Sequence, residues 1–337
     1  MPAPPATVVV CTHDRAHTLA RAVRGALAAA APVGAEVLVV DNASTDDTPA
    51  VRALLTAEAP SLRVVDEREL GLSVARNRGL AEAAGAVTVF LDDDAEPHAG
   101  WLPALLAPYA DASVACVGGP IRVRFAAPAP PWLDAPFHPT LSAYDAGSVA
   151  CRLHHRDGKW FPTGANISFR TATARAAGGF SRRLGPLGRR PVLHDETDLC
   201  FRLHRAGWAI CYAPDAAVDH WIFPERLTAA WFVVRHREAG RSAALCALRN
   251  RGVARTAAAL RWYLPLLATK PYLPREPIDG ARLLAECRRQ EARGYVAGLL
   301  EGLADLRSLR RDATSAPRAP APSVRGVGAG ADEGARC

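Results

Sequence analysis

The stretch AVTVFLDDD, residues 86–94, runs from an apolar segment directly into three consecutive aspartates. Its first six residues are rich in β-branched and apolar side chains, which is typical of a buried strand. Three carboxylates at a strand end repel one another unless a cation or hydrogen-bond donors compensate. Divalent cations prefer oxygen ligands, and Mg²⁺ commonly binds one or two carboxylates together with substrate phosphates. The stretch therefore predicts a Mg²⁺ or Mn²⁺ site, although acidic triplets also occur in ordinary turns.

Short apolar runs alternate with amphipathic helical patterns along roughly the first 90 residues of the chain. Alternating strands and helices favour parallel pairing in an α/β sheet. Ligands bind such sheets beyond the carboxyl ends of the strands, so polar residues that follow strands are the candidate site. We predict strands over residues 7–11, 36–40, 62–65 and 86–91, and helices over 17–31, 48–58 and 73–84.

The rest of the chain divides by composition. Residues 122–161 hold several prolines and aromatic residues and read as a long loop. Strand patterns return at 207–212 and 216–220, and the chain is helical from about 235. We predict an α/β domain over 1–235, a helical C-terminal extension over 236–311 and a disordered tail over 312–337 that is rich in Ala, Pro, Gly and Arg.

The net charge of +7 is concentrated in one part of the 337-residue chain. Residues 235–311 hold 16 Arg or Lys against 7 Asp or Glu, a surplus of 9, which leaves the remainder near −2. Within this part, residues 254–273 combine Trp262 with Arg255, Arg261 and Lys270. This segment either lies on an anionic membrane or packs on the catalytic domain and helps to shape the acceptor site. No nucleic acid is expected as a partner.

Location follows from what the sequence lacks. The first residues carry no signal-peptide pattern, and no apolar run reaches the roughly 20 residues of a membrane span. We therefore expect a cytoplasmic protein, with peripheral contact at the inner membrane face as the alternative that the basic segment allows.

Polar residues also follow the first two predicted strands. Thr12, His13 and Asp14 follow the first, and Asp41 opens the sequence DNASTD, 41–46, after the second. These residues form ordinary turns, but a carboxylate at this position can also accept the N–H of a pyrimidine base. Arg76 lies in GLSVARNRG, 71–79, where a helix begins, and arginine suits a diphosphate.

The sequence DETDL, 195–199, opens a later predicted helix. Asp195 and Asp198 have the spacing of a capping box, which is one structural interpretation. That interpretation leaves Glu196 unused, and its carboxylate can serve as general base toward an acceptor hydroxyl. His220 ends a predicted strand and is a candidate third metal ligand.

Taken in order, these motifs resemble the family 2 glycosyltransferases of the GT-A fold over about residues 6–235. The resemblance implies a nucleotide-diphospho-sugar transferase fold, a Rossmann-like mixed sheet with helices on both faces. The matching stretches are VVVCTHDR (8–15), VVDNASTD (39–46), 71–79, FLDDD (90–94), TGAN (163–166), GGF (178–180) and 195–199, followed by Arg202, Gly207 and His220.

The resemblance also implies roles for individual residues. The family's acidic pair usually reads Glu-Asp, whereas here it is Asp195-Glu196. We predict Glu196 as the general base, with Asp195 as the alternative. His13-Asp14 stands where Tyr-Asn is common in the family. The implied donor nucleotide site is Thr12, Asp14, Arg15, Asp41, Arg76, Asp92 and Asp93; the metal ligands are Asp94, Asp92 and His220; the acceptor residues are Trp160, Gly164 and Asn166.

The implied reaction is an inverting transfer of a sugar from a nucleoside diphosphate, with a UDP-sugar as the expected donor. The cation assists a single displacement by an acceptor hydroxyl on a natural product, a lipid-linked glycan or a peptide. The alternatives are an inactive nucleotide-sugar-binding module and a nucleotidyltransferase. The nucleotidyltransferase is disfavoured because those enzymes usually carry a glycine-rich loop after the first strand, whereas this chain reads CTHDR at 11–15, without glycine.

Overall fold

The computed structural model describes residues 4–153, 161–185, 193–311 and 316–320. Its strands are β1 Ala6–Thr12, β2 Glu36–Asn42, β3 Arg63–Glu67, β4 Val87–Asp92, β5 Ala95–Pro97, β6 Val114–Gly118, β7 Ile121–Phe125, β8 Cys151–Arg152, β9 Asn166–Arg170, β10 Ala209–Tyr212 and β11 Val218–Ile222. Its helices are α1 Ala16–Ala30, α2 Thr48–Glu58, α3 Leu72–Glu82, α4 Trp101–Leu106, α5 Thr171–Ala176, α6 Asp195–Arg205, α7 Ala229–Ala258, α8 Leu260–Leu267, α9 Gly280–Ala304 and α10 Leu306–Arg311.

The main sheet has the strand order β3-β2-β1-β4-β9-β6-β10-β8. The pairs from β3 to β4 are parallel, as the strand–helix alternation predicts. β9 is antiparallel to both β4 and β6, so the sheet is mixed. The first four strands therefore direct their carboxyl ends to one edge, and the polar residues that follow β1, β2 and β4 gather there.

Two apolar layers cover the two faces of this sheet. Along β1, Val8 and Val10 pack into the layer formed by α1 and α4, whereas Val9 packs into the layer formed by α3, α5 and α6. The alternation follows from the period of two in a strand. Each layer holds a large buried aromatic residue, Trp101 in the first and Phe90 in the second.

A second, three-stranded sheet has the order β5-β11-β7. Its antiparallel pairing brings His220 of β11 opposite Ala95 of β5, the residue after the aspartate triplet. The backbone N–H of Trp221 donates to the carbonyl of Asp94 at 2.9 Å. This small sheet holds His220 beside the aspartates that directly precede β5.

Helices α7 and α9 form a closely packed pair. A Cβ atom at Gly240 would lie 1.9 Å from the carbonyl oxygen of Glu291, and one at Gly294 would lie 1.8 Å from that of Arg237. Only residues without a side chain allow the two backbones to approach this closely. The predicted domain boundary after residue 235 falls inside α7, which is continuous with the α/β domain at its first turns.

Residues 316–320, part of the segment predicted as a disordered tail, contact the α/β domain. The indole N–H of Trp208 donates to the carbonyl of Pro317 at 2.6 Å, and the N–H of Ala319 donates to that of Ala206 at 3.0 Å. The other tail residues, 312–315 and 321–337, lie outside the described residues. Among the described helices, none combines the length and hydropathy needed to cross a membrane.

Candidate functional site

A cavity of about 590 Å³ opens at the carboxyl ends of β1, β2 and β4. Thr12 and Asn42 border it at the ends of β1 and β2, and the aspartate triplet borders it at the end of β4. The facing wall comes from the start of α6, the first turns of α7 and Glu291 of α9. The crevice lies where the strand order predicts it, but the C-terminal helices complete it.

The three aspartates have different environments. The Asp92 side chain is 32% exposed and contacts the Arg76 guanidinium at 3.3 Å. Asp93 is buried and accepts a hydrogen bond from the Thr12 hydroxyl at 2.7 Å. Burial raises the pKa of Asp93 to about 7, with the neighbouring Asp94 adding to the effect and Arg15 opposing it. Asp93 is thus a supporting group inside the wall.

Asp94 is buried among cationic groups. Its carboxylate contacts Nη2 of Arg226 at 3.0 Å, Nε2 of His220 at 3.0 Å and Nη2 of Arg15 at 3.7 Å. Burial alone would raise the pKa of Asp94, but Arg226 and His220 outweigh it and hold this pKa below its ordinary value. Asp94 is therefore an anion at neutral pH.

Ligand atoms of Asp92, Asp94 and His220 lie within 4.8 Å of one another, close enough to share one ion. His220 Nδ1 is 3.0 Å from the Leu141 carbonyl, which only accepts, so Nδ1 carries the proton. The lone pair of Nε2 then faces the Asp94 carboxylate, so this contact is favourable only when a proton or a cation lies between the two atoms. A backbone carbonyl that fixes the tautomer in this way is typical of metal-binding histidines. These three residues fit a divalent cation.

Arg76 is buried and connects the two acidic groups of the cavity. Its guanidinium lies 2.8 Å from Asp195 and 3.7 Å from Glu196, and it also reaches Asp92. A Cβ atom at Gly164 would lie 2.1 Å from Nη2 of Arg76, so glycine is required there for the arginine to fit. Gly164 borders the cavity, and its position is explained by Arg76.

Asp195 and Glu196 occupy different positions at the start of α6. Asp195 is buried and accepts from Arg76 and from the Ser73 hydroxyl at 3.2 Å. Burial opposes its ionisation, but Arg76 and hydrogen bonds from Glu196 and Ser73 lower the pKa of Asp195. Burial and the adjacent Asp195 raise the pKa of Glu196 to about 8. The pair shares one proton, and Glu196 holds it.

The capping-box interpretation of 195–198 is wrong. The residue that precedes the helix is His194, and no side chain of the described residues caps it. Asp198 points into the interior, where it pairs with Arg202 at 2.9 Å and with Arg249 of α7 at 2.9 Å. Asp198 therefore joins α6 to the C-terminal helices.

The predicted nucleotide residues lie around one end of the cavity. Thr12 and Arg15 line it, whereas Asp14, in the loop after β1, and Asp41, near the end of β2, are not among its lining residues. Asp14 accepts from the N–H of Thr45 at 2.6 Å, which is the main cause of its lowered pKa. Asp41 is buried, accepts from the Ser44 N–H at 3.1 Å and lies 3.0 Å from Arg52.

The three predicted acceptor residues are not brought together. Trp160 lies outside the described residues. Gly164 lines the cavity, but Asn166 is fully buried away from it. The Asn166 amide accepts from the Trp101 indole at 2.8 Å and donates to the carbonyls of Pro120 and Ala216. All its polar atoms are used within the protein, so it holds strands together.

Several cavity residues were missed by sequence reasoning. Arg226 lies four residues after the end of β11, and a charged residue that follows a strand end could have been predicted as part of the site. Burial, and next the charge of Arg226, lower the pKa of Arg235 to about 10, and burial lowers that of His194 to about 4. His236 lies between the Thr140 hydroxyl at 3.0 Å and Glu291 at 3.2 Å. Glu291 lies in the middle of a long helix, so no local pattern marks it.

Comparisons with known proteins agree with this geometry. The sequence profile described as glycosyl transferase family 2 matches residues 7–174. The succinoglycan biosynthesis protein ExoM of Rhizobium meliloti is 30% identical over 240 residues, which are 69% of this chain and 72% of ExoM. The glucosyl-dolichyl phosphate glucuronosyltransferase of Haloferax volcanii is 26% identical over 233 residues, 68% of this chain and 73% of that protein.

A solved structure supports the fold. The mannosyltransferase PcManGT from Pyrobaculum calidifontis, solved with GDP-Man and Mn²⁺, superimposes with a TM-score of 0.54 at 22% identity. The match covers 90% of this chain and 76% of the mannosyltransferase. The mixed sheet with helices on both faces and the helical C-terminal region confirm the expected GT-A fold. The chain is a glycosyltransferase and belongs to glycosyl transferase family 2.

Proposed function

We propose that this enzyme moves a sugar from a nucleoside diphosphate, with a UDP-sugar as donor, to an acceptor hydroxyl with inversion at the anomeric carbon. One observation carries the proposal. Arg76 contacts Asp92 of the candidate cation cluster on one side and the Asp195–Glu196 pair on the other, within a single cavity. The candidate cation cluster and a proton acceptor therefore lie in one cavity and are linked by Arg76.

The diphosphate is assigned to the arginines of the cavity. Arg15, Arg76 and Arg226 line it, and arginine binds phosphate oxygens with two parallel hydrogen bonds. Nη1 of Arg15 is buried and has no hydrogen-bond partner among the described residues. A buried donor without a partner is costly unless a ligand supplies one, which supports an anionic ligand here.

Asp92, Asp94 and His220 would hold the divalent cation, Mg²⁺ or Mn²⁺. Such a cation neutralises the charge that develops on a leaving diphosphate. Asp93 accepts a hydrogen bond from the Thr12 hydroxyl within the protein and is not proposed as a ligand of the cation. Asp41 and Asp14 are proposed to position the loops that contact the nucleotide.

Glu196 is the proposed general base. Both Glu196 and Asp195 border the cavity, but Asp195 is already held by Arg76 and Ser73. A base with a pKa near the working pH accepts a proton efficiently while the hydroxyl attacks. The acceptor classes stay as predicted: a natural product, a lipid-linked glycan or a peptide. The cytoplasmic location also stays a prediction.

Family membership favours this function over a nucleotidyltransferase or an inactive binding module.

The test is release of free nucleoside diphosphate from a panel of UDP- and GDP-sugars, including UDP-glucuronic acid, with Mn²⁺, Mg²⁺ or a chelator. We expect turnover of one donor that the chelator abolishes and that Asp94→Asn loses. Asp111→Asn is the matched control, since Asp111 pairs with Arg152 away from the cavity. A product that keeps the donor's anomeric configuration would refute inversion.

A further inference from the structure

The helix α8 and the residues around it carry an unbalanced positive charge. Residues 251–275, called here the basic segment, contain five basic residues and no acidic ones. All five basic side chains are exposed. Such a segment repels itself and gains free energy next to an anionic surface. The five residues are Arg251, Arg255, Arg261, Lys270 and Arg275.

The same segment exposes large apolar side chains. Trp262 is 68% exposed, Leu264 is 53% exposed and Leu273 is 76% exposed. No residue of α8 is buried. The helix is held by one side chain in particular, Tyr263, whose ring stacks on that of Tyr295 in α9 at 4.1 Å. If residues 254–273 only packed on the rest of the protein, the position of Tyr263 would be explained, but Trp262 and Leu264 would stay exposed to water.

We propose that the basic segment binds the surface of an anionic lipid bilayer. Charge complementarity selects this occupant, because an excess of Lys and Arg without acidic residues attracts anionic headgroups. Exposed tryptophan adds to it, since indole rings favour the headgroup level of a membrane. The guanidinium of Arg261 lies 5.1 Å from the ring of Trp262, which pairs the two kinds of group in one place.

The mode of binding is peripheral. Helix α8 spans eight residues, far fewer than the roughly 20 that cross a bilayer. The inference is independent of the proposed chemistry, because the basic segment contributes no residue to the catalytic cavity.

The experiment is flotation of the full chain with vesicles of phosphatidylglycerol and phosphatidylcholine, compared with phosphatidylcholine alone. We expect binding to the anionic vesicles only, and a loss of binding when NaCl rises from about 0.1 M to about 0.5 M, because salt screens exposed charges. Each basic residue near the surface contributes about fivefold in affinity, so Arg255→Gln with Lys270→Gln should weaken binding about 30-fold.

Trp262→Ala with Leu264→Ala should weaken vesicle binding at least about tenfold, since two large apolar side chains no longer enter the interface. The matched control is Leu54→Ala, because Leu54 is 65% exposed on α2 and outside the basic segment. Donor turnover without vesicles should be unchanged in every variant, which separates this proposal from the catalytic one. Equal binding to neutral and anionic vesicles, no binding at all, or a dimer in solution that Trp262→Ala with Leu264→Ala dissociates would each overturn it.

Discussion

The identity of the general base gives the sharpest test, and the change is Glu196→Gln. Glutamine keeps the size of the side chain and its contacts beside Arg76 but cannot accept the acceptor proton. Positioned general bases contribute about 100- to 10,000-fold to a rate, so kcat should fall within that range. Donor binding should change little, because the diphosphate ligands stay in place.

The pH dependence follows from the raised pKa of about 8 that burial and Asp195 give to Glu196. A base must be ionised to act, so activity rises with pH. With this pKa, about a tenth of Glu196 is ionised at pH 7 and about a hundredth at pH 6. We therefore expect kcat/KM to rise about tenfold per pH unit below 7 and to level off above about pH 8.

The alternative base, Asp195, predicts a different profile. Its pKa is lowered, mainly because Arg76 outweighs burial, so it is ionised throughout the neutral range and the rate would not rise with pH there. The assay is nucleoside diphosphate release at saturating donor from pH 5.5 to 9, with Glu196→Gln and Asp195→Asn side by side. A flat profile for the wild type, or a Glu196→Gln variant within tenfold of wild-type kcat, would refute the assignment.

Folding is monitored in the same variants. A carboxyl whose pKa is raised in the folded state contributes stability that is lost as the pH rises through that pKa. The stability that protonated Glu196 contributes should therefore fall progressively as the pH rises from the ordinary carboxyl pKa to about 8, and be fully lost above it. Glu196→Gln cannot ionise, so at pH 9 it should melt at or above the wild-type temperature, and loss of activity then cannot be attributed to unfolding.

Two further changes test the cavity and its frame. Arg226→Gln should weaken nucleoside diphosphate binding about 10- to 100-fold in calorimetry, since a charged hydrogen bond contributes about 1.5–3 kcal/mol. Arg226→Lys should recover part of the lost affinity. Equal affinity in the wild type and both variants would exclude a contact between Arg226 and phosphate. Gly294→Ala would place Cβ 1.8 Å from the Arg237 carbonyl oxygen and force α7 and α9 apart. Overpacking destabilises a fold by about 1–3 kcal/mol, which outweighs the roughly 1 kcal/mol that alanine gains over glycine in helix propensity, so the melting temperature should fall by a few degrees. The control is Leu300→Ala on the exposed side of α9, which should leave the melting temperature unchanged.

The strands and helices of the first 92 residues could be predicted closely from sequence. The predicted helix over 48–58 coincides with α2, and the four predicted strands each lie within two residues of β1 to β4. Local patterns are strong here because β1, β2 and β4 are buried on both faces and α1 has one apolar side. The parallel order then places the residues after β1, β2 and β4 at one edge without any further information.

The sequence by itself determined the family, the α/β class, and the positions of Asp92 and Asp94 at a strand end, because these depend on local periodicity and on motif order. His220, which was predicted to end a strand, is instead the middle residue of β11. Only the tertiary structure decided which of these groups meet. Arg76 bridges Asp92 to Asp195 through side chains more than 100 residues apart, and Asn166 is drawn inward by Trp101. The distinction between Asp195 and Glu196 has the same origin. Neighbours in sequence carry the same charge and near-identical chemistry, and only burial beside Arg76 makes one the anion and the other the proton carrier.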